Sequence, residues 1–100
     1  MLTRGAAEEI ARAKLAEIEA EVGMPLVLVE DAVIERDIAF AFSYNSREYI
    51  ETGRFNAALA GNGSIIVVRK SGEVLEGGTA EPVEFYLNNL ERYGRLFQDS

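Results

Sequence analysis

Cysteine is absent from this 100-residue chain, and so is histidine. Without cysteine there is no disulfide framework and no thiolate metal site. Without histidine the chain lacks the commonest general base, the commonest metal ligand and the side chain that changes charge near neutral pH. Long apolar runs are missing as well. Met24 to Val29, interrupted by Pro25, and Ile65 to Val68 are the longest, and both fall far short of the roughly 20 residues that a bilayer-spanning helix needs. The N-terminus, Met1-Leu2-Thr3-Arg4-Gly5, leads into a charged helical pattern and not into the apolar core of a signal peptide. These absences set the expectation of a cytoplasmic protein with no membrane contact, no metal and no cofactor.

Basic residues are scarce relative to acidic ones, ten against seventeen, for a formal charge of -7. The imbalance is uneven. Residues 1–35 hold eight acidic and three basic residues, residues 36–72 hold three and five, and residues 73–100 hold six and two. Nucleic acid is disfavoured as a partner, because binding it requires clustered Lys and Arg to displace counterions. An acidic surface steers encounter with a basic protein instead. What is present, 48% hydrophobic and 27% charged residues over a length suited to one core, is the composition of a single globular domain spanning residues 1–100.

From Thr3 to Val22, Ala7, Ala11, Leu15, Ile18 and Val22 recur at helical spacing with Ile10 beside them, which predicts an amphipathic helix capped by Thr3 and stopped by Gly23 and Pro25. Leu26 to Val29 reads as a short strand. Ile38, Phe40, Phe42 and Tyr44 alternate with Ala39, Ala41 and Ser43, the period-two signature of a strand with one large-residue face and one small-residue face. These two strands are expected to pair as a hairpin. Residues 45–63 read as a long polar connection holding at most one or two helical turns, a length that in a compact domain is often functional. Ser64 to Arg69 and the strand starting at Val74-Leu75 flank a tight turn at Lys70 to Glu73, and Gly77-Gly78 interrupts the returning strand. A last helix opens near Pro82 with Val83, Tyr86, Leu87, Leu90 and Tyr93 as its apolar stripe, and Gly94 closes it. The order predicts an α+β domain: a four-stranded, mostly antiparallel sheet with both helices packed on one face, over Phe40, Phe42 and Val67.

No catalytic constellation emerges from the residues. Glu30-Asp31 reads as turn chemistry, and Ser43, Ser46 and Ser64 have no histidine to activate them. Gly61-Asn62-Gly63 precedes a strand, unlike a phosphate-cradling loop, which opens a helix. A two-carboxylate hydrolase built on Glu51 and Glu81 finds no pocket signal beside those residues.

One resemblance organises the rest. Phe42-Ser43-Tyr44-Asn45-Ser46-Arg47-Glu48-Tyr49-Ile50-Glu51-Thr52-Gly53 is followed by Leu59-Ala60-Gly61-Asn62-Gly63-Ser64-Ile65-Ile66-Val67. The closing segments are Ser71-Gly72-Glu73, Gly78-Thr79-Ala80 and Pro82-Val83-Glu84-Phe85-Tyr86-Leu87. In this order, over about residues 24–93, they resemble the bacterial Immunity protein 35 family, also called the YrhB-type domain. The pattern departs from that family at Ser64, often proline there, and at Ala39-Phe40-Ala41, often Gly-Trp-aliphatic.

The resemblance implies an immunity protein of a polymorphic toxin system, one that binds and neutralises a cognate toxin domain and is not itself an enzyme. A basic toxin would suit the acidic surface. A small heat-stable, chaperone-like protein is the alternative the resemblance carries, and a homodimer stays open. Residues 45–63 form the least acidic segment, and Arg47, Glu51, Arg54 and Asn62 are expected at the rim of a partner site there. Glu17 and Glu21, one turn apart on the solvent face of the first helix, are expected to steer the partner.

Overall fold

Thr3 opens helix α1, its Oγ1 accepting a hydrogen bond from the Ala6 N–H at 3.2 Å. The helix runs Arg4–Val22 and ends where Gly23 turns left-handed at φ 74°, its N–H donating to the Glu19 carbonyl. The structure, a computed structural model, describes residues 1–58 and 63–97. Strand β1 is Leu26–Leu28, followed by a 3-10 turn at Glu30–Ala32, then β2 at Ile34–Glu35, β3 at Ala39–Phe42 and β4 at Tyr44–Ser46. Helix α2 spans Arg47–Thr52, a second 3-10 turn Phe55–Ala57, β5 Ile65–Val68, β6 Val74–Glu76 and α3 Val83–Tyr93. The fold is α+β, as expected, with a four-stranded antiparallel sheet in the order β2-β3-β5-β6 and a two-stranded antiparallel sheet of β1 and β4.

The pairing of the first strands differs from the expected hairpin. Leu26–Leu28 pairs with Tyr44–Ser46, and the sheet edge beside β3 is taken by Ile34–Glu35. Two nested hairpins share one long strand. Val29 N–H continues the outer ladder to the Ser43 carbonyl at 2.8 Å, while Arg36 N–H closes the inner turn on Ala39 at 2.9 Å. The 3-10 turn between β1 and β2 shifts the register, so residues 39–46 divide at Ser43 between two partners.

The larger correction concerns the helices, which lie on opposite faces of the sheet. Phe40 and Phe42, with their neighbours Val67 and Ile65, pack under Ala7, Ala11, Leu15 and Ile18 of α1. Ala39, Ala41 and Ile66 point the other way and pack against Tyr86, Leu87 and Leu90 of α3. Side chains alternate across a strand, so the two sets must face apart. The physical reason for two helices is size matching. Helix α1 offers alanines to the phenylalanines, and α3 offers large rings and leucines to the alanines of β3, which keeps both layers filled. The small-residue face of β3 is thus not a solvent face, and Ala39 and Ala41 are as buried as the rings beside them.

Gly77-Gly78 ends β6 and lets the chain cross to the far face. A side chain at Gly78 would stand 2.5 Å from the Tyr86 hydroxyl, so the close approach of α3 requires glycine there. After Gly94 the chain is tied back by buried Asn89, whose Nδ2 donates to the Leu96 carbonyl at 2.8 Å.

Tyr44 sits in the α1-side core with its hydroxyl group desolvated. Burial, reinforced by the nearby Glu76 carboxylate, raises its pKa above the ordinary value of about 10. A raised folded-state value means that the neutral ring is favoured in the fold. Its contribution is therefore intact below about pH 10 and is lost as pH rises through the shifted value. Chemical denaturation from pH 8 to 11 is expected to show wild-type stability falling more steeply above about pH 10 than that of Tyr44→Phe; parallel curves would contradict the assignment.

Candidate partner-binding groove

The segment after β4 is built around Ser46. This residue is buried, and its Oγ accepts from Tyr49 N–H at 3.0 Å, capping α2, while donating to the Ala57 carbonyl at 2.5 Å. One hydroxyl thus holds both ends of the segment, the helix entry and the 3-10 turn beyond it. Thr52 closes the helix, donating to the Glu48 carbonyl at 2.7 Å, and left-handed Gly53 at φ 73° ends it. From the other side, Glu19 Oε2 accepts from Leu26 N–H at 2.7 Å and Arg47 N–H donates to the Pro25 carbonyl at 3.0 Å. The link between α1 and β1 is therefore held against both the last turn of α1 and the start of α2.

Between them lies an open groove of about 450 Å³. Met24, Pro25, Ala57 and Ala58 supply its apolar lining, and Arg47, Glu48, Glu51 and Asn56 supply its polar lining. That size accepts one or two side chains of a partner. The lining offers an apolar seat beside two carboxylates and one guanidinium, a combination suited to holding an apolar side chain flanked by cationic groups.

Of the residues singled out from the sequence, Arg47 and Glu51 line this groove. Arg54 is exposed just past Gly53 and outside the lining. Glu17 and Glu21 are exposed on α1, and Asn62 lies outside the described residues. Ile50 of α2 is 46% exposed, and its neighbour Tyr49 is half-buried. Sequence reasoning missed Met24, Pro25, Glu48 and the two alanines. A cap reading of Ser46, three residues before Tyr49, was the signal that would have placed α2 and with it Glu48.

The charges of α1 are sorted by ion pairs. Arg12 reaches Glu30 at 2.6 Å and Glu8 at 3.4 Å, and Lys14 reaches Glu76 at 3.6 Å. Glu17 and Glu21 take part in none of the ion pairs found among the described residues. Among those residues, no group of three or more acidic, His or Cys side chains is arranged to hold a metal, and no helix is long and apolar enough to cross a membrane.

The profile of one family, described as Immunity protein 35, matches residues 5–93. The chain belongs to the Immunity protein 35 family. A curated protein of Escherichia coli (strain K12), the uncharacterized protein YrhB, is 46% identical over 50 residues. That match covers 50% of this chain and 53% of the YrhB protein, so the chain spans about half the length of the curated relative it matches. No solved structure matches. Within the Immunity protein 35 match fall α1 after Arg4, both sheets, α2 and α3, so the groove is framed entirely by elements of the family domain.

Proposed function

We propose that this protein is the immunity protein of a bacterial polymorphic toxin system, acting in the cytoplasm of the producing cell by stoichiometric binding to a basic toxin domain. The observation that carries this reading is the family match over residues 5–93. The charge distribution supports the choice of a basic partner, since the cations in the middle of α1 are engaged while Glu17 and Glu21, exposed on the same helix, take part in no ion pair among the described residues. The groove beside α2 is the anchoring site in this reading, with Arg47, Glu48 and Glu51 at its polar edge and Arg54 close by.

Titration of the toxin domain encoded beside this chain should give a saturable one-to-one complex, and co-expression should rescue cells from that toxin and not from unrelated ones. Association should slow as salt rises from tens to hundreds of millimolar, where the Debye length falls to roughly 8 Å. The double substitution Glu17→Lys/Glu21→Lys is expected to slow association about tenfold with little change in dissociation, because exposed charges act on encounter. Glu48→Lys/Glu51→Lys should speed dissociation instead. Absence of binding at micromolar concentrations together with absence of rescue would overturn the reading.

A further inference from the structure

Helix α3 carries a charge pattern that is complementary to itself read backwards. Glu84 lies four residues before Asn88 and Arg92 four residues after it, and all three are exposed. Residues four apart stack along one stripe of a helix, and the opposite side of α3 is the one packed on Ala39, Ala41 and Ile66. Beyond the caps, Glu81 and Arg95 extend the same order, each seven residues from Asn88. Glu84 and Arg92 take part in none of the ion pairs found among the described residues. The middle of the stripe is already fixed, because Arg36 donates to Asn88 Oδ1 at 2.7 Å and to Glu91 Oε1 at 2.6 Å.

Beside this stripe two large rings are open to solvent, Phe85 at 42% and Tyr93 at 41% exposure. With Asn88, Asn89, Glu91 and Arg92 they line an open depression of about 620 Å³. We propose that this face is a homodimer interface, in which α3 of one copy packs antiparallel on α3 of a second about a two-fold axis through Asn88. Glu84 of each copy then meets Arg92 of the other, and the partner's Arg92 lies over the Phe85 ring, where a cation is favoured. An isologous contact requires that a surface be complementary to itself, and the order acid, amide, base along one stripe satisfies that requirement.

Two copies each carrying -7 repel one another, so the choice of face decides whether association is allowed. On the α3 face Glu84 and Glu91 are balanced by Arg92 and Arg36. Helix α1, with its acidic residues, packs on the other side of the sheet. Contact through α3 keeps the two α1 helices outermost, separated by two sheets and two helices. Layers pack roughly 10 Å apart, so that separation is several Debye lengths at physiological salt. The acidic α1 surface stays uncovered, and the groove beside α2 shares no residue with the α3 face. An 11-residue helix is about 16 Å long, too short for a standard-size interface on its own, so the dimer is weak, and the exposed ion pairs set its orientation more than its strength.

Sedimentation of the full chain up to about 1 mM should show its mass rising with concentration from 11.0 kDa toward twice that value. Glu84→Arg alone and Arg92→Glu alone should each weaken association about tenfold, since each places like charges opposite one another. An equimolar mixture of these two variants should associate at wild-type strength, because one then offers only cations where the other offers only anions. The double variant Glu84→Arg/Arg92→Glu should dimerise again, the pattern having been reversed and not lost. Circular dichroism of each variant verifies that the helices remain. A wild-type mass constant over the whole range overturns the proposal, and so does a mixture of the folded single variants that stays monomeric.

Discussion

Phe42→Ala is expected to destabilise the fold by about 3–5 kcal/mol. The ring is fully buried, pairs across the ladder with Ile65, and lies 6.4 Å from the Phe40 ring, centroid to centroid. Removing it leaves a cavity under α1 that neighbours cannot fill. Ala7 and Ala11 above it have no rotamers with which to reach down, and β3 is held on both edges by β2 and β5. For a domain whose total stability lies at about 5–15 kcal/mol, such a loss approaches the whole margin. Ile50→Ala provides the contrast. Its side chain is largely in solvent, and a change within about 0.5 kcal/mol is expected. Urea denaturation of both variants checks this, and a Phe42→Ala loss below about 1 kcal/mol would mean that α1 does not cover this face of β3 as tightly as the packing implies.

Gly63→Ala is expected to cost about 2–3 kcal/mol or more, an unusually large effect for the smallest substitution available. A Cβ at this position would overlap the Gly77 carbonyl, which is main chain and has no rotamer to escape into. The backbone there is also hydrogen-bonded, since Gly77 N–H donates to the Ser64 carbonyl at 2.8 Å. Relieving the overlap means pulling β6 away from β5 at that end, and among the described residues β6 is an edge strand with no second neighbour to hold it. The matched control is Gly5→Ala in α1, where an added Cβ meets nothing within 4 Å. There the substitution should raise stability by up to about 1 kcal/mol through lower unfolded-state entropy and better helix propensity. Opposite signs in thermal denaturation of the two variants are the expected result. Equal and small effects would show that the start of β5 and the end of β6 are not in contact.

The ion pairs of α1 and the packing of α3 bear on function in different ways. Those of α1 cancel Arg12 and Lys14 against Glu8, Glu30 and Glu76 and leave Glu17 and Glu21 as the charges that would face the proposed basic partner. The ring of Tyr86, flanked by Phe85 and by Phe97 at 5.4 Å each, anchors the far face of the sheet, and the outer side of α3 is the face of the proposed dimer.

What the sequence determined by itself was everything carried by short-range patterns. Thr3, Gly23, Pro82 and Gly94 mark helix ends because capping and left-handed turns involve only three or four neighbouring residues, and all four stand where they were expected. The alternation from Ile38 to Tyr44 announced a strand, and the spaced motifs from Phe42 onward announced the family. Tertiary structure alone decided three things. It put α3 behind Ala39 and Ala41, a face that alternation marks as small without saying whether a helix or water will cover it. It gave the strand at Leu26 to β4 and not to β3, because register depends on how a 3-10 turn spends its residues, not on which residues are apolar. It also made the groove, since Met24, Glu48 and Ala57 are far apart in the chain and meet only where Pro25 and Ser46 accept and donate hydrogen bonds across the gap. Periodicity reports how one element is faced, whereas the pairing of faces is settled by the sizes of the side chains that must fit between them.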